Sequence, residues 1–207
     1  VANNPSYAEG HYGLGTVLPC LGQIEEGLTE IREAVSLDPL SCEFSAWVAR
    51  FLIYMGRYEE AIEQCRKTTE LDPTYYYAFV RLGTALMGLG RHEEALEAFR
   101  NDATRTGGVG SVRAYEVLAL AALDRQVEAE AAVQQLTDGE PDQYVRAEFL
   151  AAAFAALGDL DGAFDELERA YADRSAGLIY LHVDPIYEPL REDPRFDALV
   201  ERIGLKR

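Results

Sequence analysis

Ala78–Phe99, AFVRLGTALMGLGRHEEALEAF, decides the fold. Apolar residues recur at helical spacing on both sides of Gly90, and the two halves read as short helices joined by a glycine turn. Moved in steps of 34 residues, the pattern falls on four other stretches, and Gly90 joins a column Gly22, Gly56, Gly90, Asp124, Gly158. Glycine, with aspartate as its usual substitute, suits a left-handed residue just past a helix end. Five positions on stand Gly27, Ala61, Ala95, Ala129 and Ala163, small enough to let two helices approach closely. Four further come Ile31, Cys65, Phe99, Val133 and Leu167, one turn along the same face. Upstream, Gly15, Ala49, Gly83, Val117 and Ala151 make a mostly small column, and Leu18, Leu52, Leu86, Leu120 and Phe154 an apolar one. Between repeats Pro39, Pro73 and Pro141 each follow an acid and stop a helix.

A 34-residue helix–turn–helix repeat of this kind resembles the tetratricopeptide repeat. In the third repeat Phe79, Leu82, Gly83, Leu86, Gly90, Ala95 and Phe99 stand in the signature places, with Gly107 where proline is usual. The resemblance covers about residues 6–175. It implies an all-α fold, a right-handed alpha-alpha superhelix (a TPR solenoid) of about five repeats at residues 6–38, 40–72, 74–103, 111–138 and 143–173. It also implies that each hairpin packs mainly on its neighbours and that the first helices line a concave groove. One solenoid is expected over residues 1–207. Pro5 precedes Pro39 by the repeat length, and the chain opens Val-Ala-Asn-Asn-Pro, so it reads as a piece of a longer polypeptide.

Several positions depart from the pattern. Pro19 ends the first helix near Leu18. Trp47 is displaced from the usual tryptophan place and reads as a packing or groove residue. The linker Thr106–Gly110 is glycine-rich but is not followed by a phosphate-binding Gly-Lys-Ser/Thr motif. In repeat four Glu116 falls where leucine belongs and Val117 where glycine belongs. Sliding that helix by two puts Tyr115, Leu118, Ala119 and Ala122 in the signature places, which predicts a register shift or a bend. Residues 175–207 read as a C-terminal cap. Asp193-Pro194 starts its helix, Phe196, Leu199, Val200 and Ile203 form one apolar stripe, Arg195, Asp197, Glu201 and Arg202 face outward, and Gly204 ends it. With LGDLDGAFDELERAYADRS before it, this tail is similar to the C-terminal repeat region of bacterial multidomain proteins that carry a winged-helix, nucleotide cyclase or serine/threonine kinase domain. That similarity implies a bacterial regulatory context.

The net charge of −17 argues against a nucleic-acid partner, because phosphate binding needs a basic footprint. Glu25, Glu26, Glu59, Glu60, Glu93, Glu94, Glu128 and Asp161 fall in the first turn of second helices, where they complement the helix dipole. Cys20, Cys42 and Cys65 are odd in number and lack C-x-x-C spacing, so a disulfide framework is not expected and a cytoplasmic setting is. No apolar run approaches the ~18 residues of a membrane span.

His11, His92 and His182 share no metal-ligand spacing, and no nucleophile motif is present. His11 reads as a structural core residue, and His182 with Asp184 makes too few ligands for a cation. No catalytic residue, metal or cofactor is expected, and the segment is not expected to be an enzyme. What the resemblance implies is a groove lined by Glu9, Tyr12, Thr16, Glu43, Ala46, Arg50, Tyr77, Val80, Thr84, Val145, Glu148 and Ala152, with Tyr54 and Arg81 at its margins. The candidate peptide-binding residues are Tyr12, Thr16, Arg50, Tyr54, Tyr77, Arg81 and Thr84. The Lys, Asn and Arg clamp by which some family members hold a chaperone's C-terminal carboxylate is represented only by Arg50, with glutamates in other clamp columns. In the alternative, each tyrosine packs between helices and Arg50 pairs with a nearby glutamate. The expected function is a scaffold that takes a peptide or partner protein in this groove, with neither nucleic acid nor membrane as partner. The alternative is a regulatory or self-association domain, a homodimer through an apolar first-repeat edge at Tyr7 and Leu14.

Overall fold

The structure, a computed structural model, describes residues 6–105, 110–138 and 145–205. Pro5, Gly107, Pro141 and most of the glycine-rich linker lie outside the described residues. The helices are α1 (Ala8–Val17), α2 (Ile24–Leu37), α3 (Cys42–Tyr54), α4 (Tyr58–Leu71), α5 (Tyr76–Gly88), α6 (His92–Arg105), α7 (Gly110–Ala122), α8 (Gln126–Thr137), α9 (Ala147–Ala156), α10 (Leu160–Ala172) and α11 (Pro194–Ile203). Short 3-10 turns stand at Leu18–Leu21, Ala176–Tyr180 and Pro185–Leu190. Among the described residues there is no strand.

α1 to α10 pair as five consecutive antiparallel hairpins, each packed on the next, so the core is a continuous ribbon. Every hairpin turn is made at the expected column. Gly22, Gly56, Gly90 and Gly158 have positive φ, and Asp124 takes the same conformation at φ 56°. Inside each hairpin the small column touches the second helix. A Cβ at Gly83 would overlap the ring of Phe99, and one at Gly15 would come within 2.7 Å of Ile31. Cys65, in the same second-helix column, is fully buried, and burial pushes its thiol up to about 12.

The slide proposed for repeat four does not occur. α7 begins and ends 34 residues after α5, and α8 starts 34 residues after α6. Val117 keeps the glycine place and is fully buried, and Leu120 keeps its place in the apolar column of Leu52 and Leu86. Val117 is tolerated because the facing column carries Val133 there, where repeat three has Phe99: bulk moves from one helix to the other. Glu116 sits half-buried in its leucine place and accepts a 2.7 Å hydrogen bond from Arg100 Nε on α6. The stack does change after this hairpin, since α9 packs on α7 far more than on α8.

Pro19 acts as expected: α1 stops at Val17 and a 3-10 turn follows. At the other end the Asp193 side chain accepts from Arg195 N, Pro194 opens α11 and Gly204 closes it in the left-handed region. α11 lies along α10: Arg195 bonds Asp161 at 2.7 Å and Arg202 bonds Glu168 at 2.6 Å, both 34 positions back. It therefore occupies the place of the second helix of a sixth hairpin, with Phe196, Leu199 and Val200 turned inward. The first-helix place is another matter, because residues 176–190 do not simply cap the stack. They leave it and cross the concave side.

Replacing Gly83 with alanine forces a methyl group into Phe99, whereas a methyl group at Gly13 would meet only open space. Gly83→Ala is expected to destabilise the protein by about 1–3 kcal/mol in urea unfolding, and Gly13→Ala to leave stability unchanged or raise it by a few tenths.

Candidate functional site

The concave side is built by the first helices α3, α5, α7 and α9, and its occupant is the chain itself. Tyr180 Oη donates to the Thr16 carbonyl at 3.0 Å, bringing residues 164 positions apart into contact. Its ring lies 5.8 Å from Trp47 and 6.3 Å from Tyr54, and the Arg50 guanidinium sits 4.2 Å above it. Asp184 Oδ2 accepts from Arg50 Nη2 at 3.4 Å and from Tyr54 Oη at 3.5 Å. Its other oxygen accepts from Ile186 N and so starts the 3-10 turn Pro185–Leu190. Leu178, Leu181, Ile186, Tyr187 and Leu190 are buried against the first helices or each other, which fixes the segment along its length.

This placement corrects the sequence reading in two ways. The alternative reading, in which Arg50 pairs with a neighbouring glutamate, gives way to a pairing with Asp184, 134 residues away. Tyr54 is not at the groove margin but beneath the tail, and burial holds its hydroxyl protonated well above the usual range. Arg50 remains charged: burial opposes its charge, and Tyr54 and Asp184 more than offset that.

The tail divides what is left of the concave side into two cavities, of about 270 and about 380 Å³. The first takes Tyr12, Arg50, Tyr77 and Arg81 from the candidate set, together with Trp47, Tyr115, Arg146, Glu148 and Tyr187. Tyr12 donates to Glu43 at 2.7 Å, and Arg146 pairs with Glu148. Arg81 is 8% exposed, not marginal, with its guanidinium 6.0 Å from the Tyr77 ring and beside Tyr115. The second cavity is mainly apolar and takes Thr84, whose hydroxyl donates to the Val80 carbonyl at 2.8 Å. Thr16 lines neither cavity and supplies only its carbonyl to Tyr180. Glu43, Ala46 and Glu148 do line the first cavity, as the groove columns predicted.

Arg146, Tyr180, Asp184 and Tyr187 were not anticipated. The available signal was the run LIYLHVDPIY after the last repeat, apolar and aromatic but without helical period. His11 is a buried residue bonded to Glu30 at 2.7 Å. Among the described residues no three His, Cys, Asp or Glu side chains converge as metal ligands, and no helix is long and apolar enough to cross a membrane.

A stack of helical hairpins at a constant 34-residue step, with glycine turns and a concave first-helix face, defines an α-solenoid. Tetratricopeptide-repeat family models match residues 52–101 and 80–144. Residues 52–144 are thus tetratricopeptide repeats, and the whole stack has the tetratricopeptide-repeat fold. It is similar to the thermophilic TPR protein TTC0263 of Thermus thermophilus, at 22% identity and a TM-score of 0.66, over 94% of this chain and 100% of that one. Pseudomonas aeruginosa pilF aligns at 20% identity and a TM-score of 0.58, over 86% of this chain and 82% of that one. YrrB, described as a TPR protein with an unusual peptide-binding site, aligns at 18% identity and a TM-score of 0.51, over 87% and 93% of the two chains. These likenesses establish the fold. No curated protein matches the chain.

Two outcomes test the docked tail. Asp184→Ala removes the partner of Arg50 and the cap of Pro185–Leu190, and is expected to weaken tail docking by about 1–3 kcal/mol, read as faster amide exchange over residues 178–190. Burial lowers the His182 imidazole from its ordinary 6.5, with the Pro19 carbonyl opposing in part. The docked state therefore disfavours protonation, so docking is fully stable above pH 6.5 and loses stability as the pH falls. Exchange over the tail, corrected for intrinsic rate, should speed up on acidification, and His182→Gln should flatten that dependence.

Proposed function

We propose that this protein is a non-enzymatic interaction scaffold whose concave face takes an extended partner segment of aromatic and acidic character. One observation carries the reading: Trp47, Arg50 and Tyr54 form a cradle that holds an aromatic ring and a carboxylate four residues apart, Tyr180 and Asp184. Arginine and aromatic side chains are the usual anchors of such surfaces. The fold supports a scaffold role, and a peptide-binding site in the structurally similar YrrB is consistent with it. A partner segment entering the cradle displaces the tail.

The test uses a fluorescent peptide of residues 175–190 as probe. It should not bind the unaltered protein, whose cradle is full. It should bind the Tyr180→Ala/Asp184→Ala variant, and at least tenfold more weakly once Arg50→Glu is added. A peptide library selected on that double variant should return acidic-aromatic segments; enrichment of basic ones, or indifference to Arg50→Glu, refutes the proposal.

A second reading, self-association, is favoured by the exposure of Tyr7, Leu14, Val17 and Leu21 along the first hairpin. Light scattering would then show a dimer that Leu14→Glu returns to monomer, and a monomer at all concentrations removes this reading.

A further inference from the structure

We infer that the 270 Å³ cavity beside the tail is a binding site for a small organic acid, an aromatic carboxylate held through Arg81. The inference goes beyond the partner reading and does not need it, since the cavity exists with the tail in place.

Charged side chains of both signs face the cavity. Three arginines line it, Arg50, Arg81 and Arg146, and three carboxylates, Glu43, Glu148 and Asp184. Asp184 is taken by Arg50, whose Nε is left without a partner, and Glu148 Oε1 by Arg146 and by Ser175 Oγ at 2.9 Å, while the buried Glu148 Oε2 has no hydrogen-bond partner. Glu43 lies at the exposed edge and accepts from Tyr12. Arg81 is left over. Among the described residues no carboxylate lies within 4.0 Å of its guanidinium, although the residue is only 8% exposed. Its neighbours are the Tyr77 ring and the Tyr115 phenol, whose own ionisation burial disfavours. In a chain of net charge −17, a buried cation without an acid is contrary to composition. Buried charges are ordinarily paired, and a planar guanidinium facing a cavity pairs best with a carboxylate, which it can hold in bidentate fashion.

The walls specify the rest of the ligand. Trp47, Tyr75, Tyr115, Phe149 and Tyr180 surround the space with ring surface, which favours an aromatic body. The volume is slightly below the roughly 300–1,000 Å³ of drug-sized sites, which admits one ring and a short acid arm. Gly177 is fitted to this wall: a Cβ there would overlap the Glu148 carboxylate and the Arg146 guanidinium, so any larger residue disturbs the pair that keeps Arg146 from competing for the ligand. The exposed lining residues Glu43, Tyr77 and Ala176 mark the side open to solvent.

The test is titration calorimetry on the full chain with benzoate, phenylacetate and 3-phenylpropionate, each beside its neutral amide. At least one acid is expected to bind saturably, its amide at least tenfold more weakly. Arg81→Met should abolish binding, and Arg81→Lys should retain part of it. No saturable binding by any of the three acids overturns the inference, as does equal binding of acid and amide or binding that survives Arg81→Met. Response to an acidic peptide alone, with no free acid bound, also overturns it and assigns Arg81 to a partner's side chain. The acid–amide comparison is made on the unaltered protein, so it decides the matter even if Arg81→Met does not fold. The tail-peptide experiment probes Arg50 on a tail-weakened variant, so the two readings fail separately.

Discussion

The solenoid depends on how closely the backbone of each first helix can be approached by one side chain of its second helix. At Gly83 the ring of Phe99 lies where a Cβ would be, and at Gly15 the side chain of Ile31 does the same. Where the second helix offers less, with Cys65 or Val133, the first helix carries Ala49 or Val117 instead. The two columns share one fixed volume, which is what close packing requires of hairpins that stack at constant spacing. The same logic recurs between hairpins, where Gly27 yields to the ring of Phe51 on α3. Once that distance is set, the second-helix carboxylates and the turn residues fall into place at every step of the repeat.

This constraint explains why most of the fold was legible in the sequence and why repeat four misled. Column by column, Val117 looks like a violation, and sliding the helix by two looks like its remedy. The violation disappears when the column is considered together with its partner, because Val133 has given up the volume that Val117 takes. Glu116 is explained in the same way: in this repeat the leucine place is only half-buried, and Arg100 on the preceding helix bonds it. Single columns predict residue type, whereas the fold constrains pairs of columns. The Asp124 turn and the Pro19 break, which depend only on local backbone chemistry, needed no such pairing to be anticipated.

The site was less legible because half of it comes from residues without a period. Tyr12, Arg50, Tyr77 and Arg81 could be placed on the concave side by counting, as could Glu43 and Glu148. Tyr180 and Asp184 could not: they stand where two short 3-10 turns meet, and no hydrophobic pattern there reveals which way a side chain points. Only the alternative reading of Arg50, a pairing with a nearby glutamate, fails, and for the same reason. A guanidinium beside several glutamates in sequence neighbourhood is expected to choose one of them, yet it found a carboxylate carried across from the far end of the chain.

That crossing changes the physics of the whole stack. A solenoid is held by nearest-neighbour contacts, so its end hairpins ordinarily fray independently. Here the first hairpin is bonded through Thr16 to Tyr180, beyond the last one, and the two ends are thereby coupled. The same bond sets the terms on which anything else can enter the concave face. A tethered segment competes at an effective concentration on the order of millimolar, so a segment from another molecule has to exceed its intrinsic affinity by orders of magnitude or arrive when the tail is loosened. Charge sharpens the selection, because leaving Arg50 without Asp184 exposes a buried cation beneath Trp47 and Tyr54. An entering segment without an acid at that position pays for the exposure and recovers nothing, whereas one that carries an acid there restores the pair.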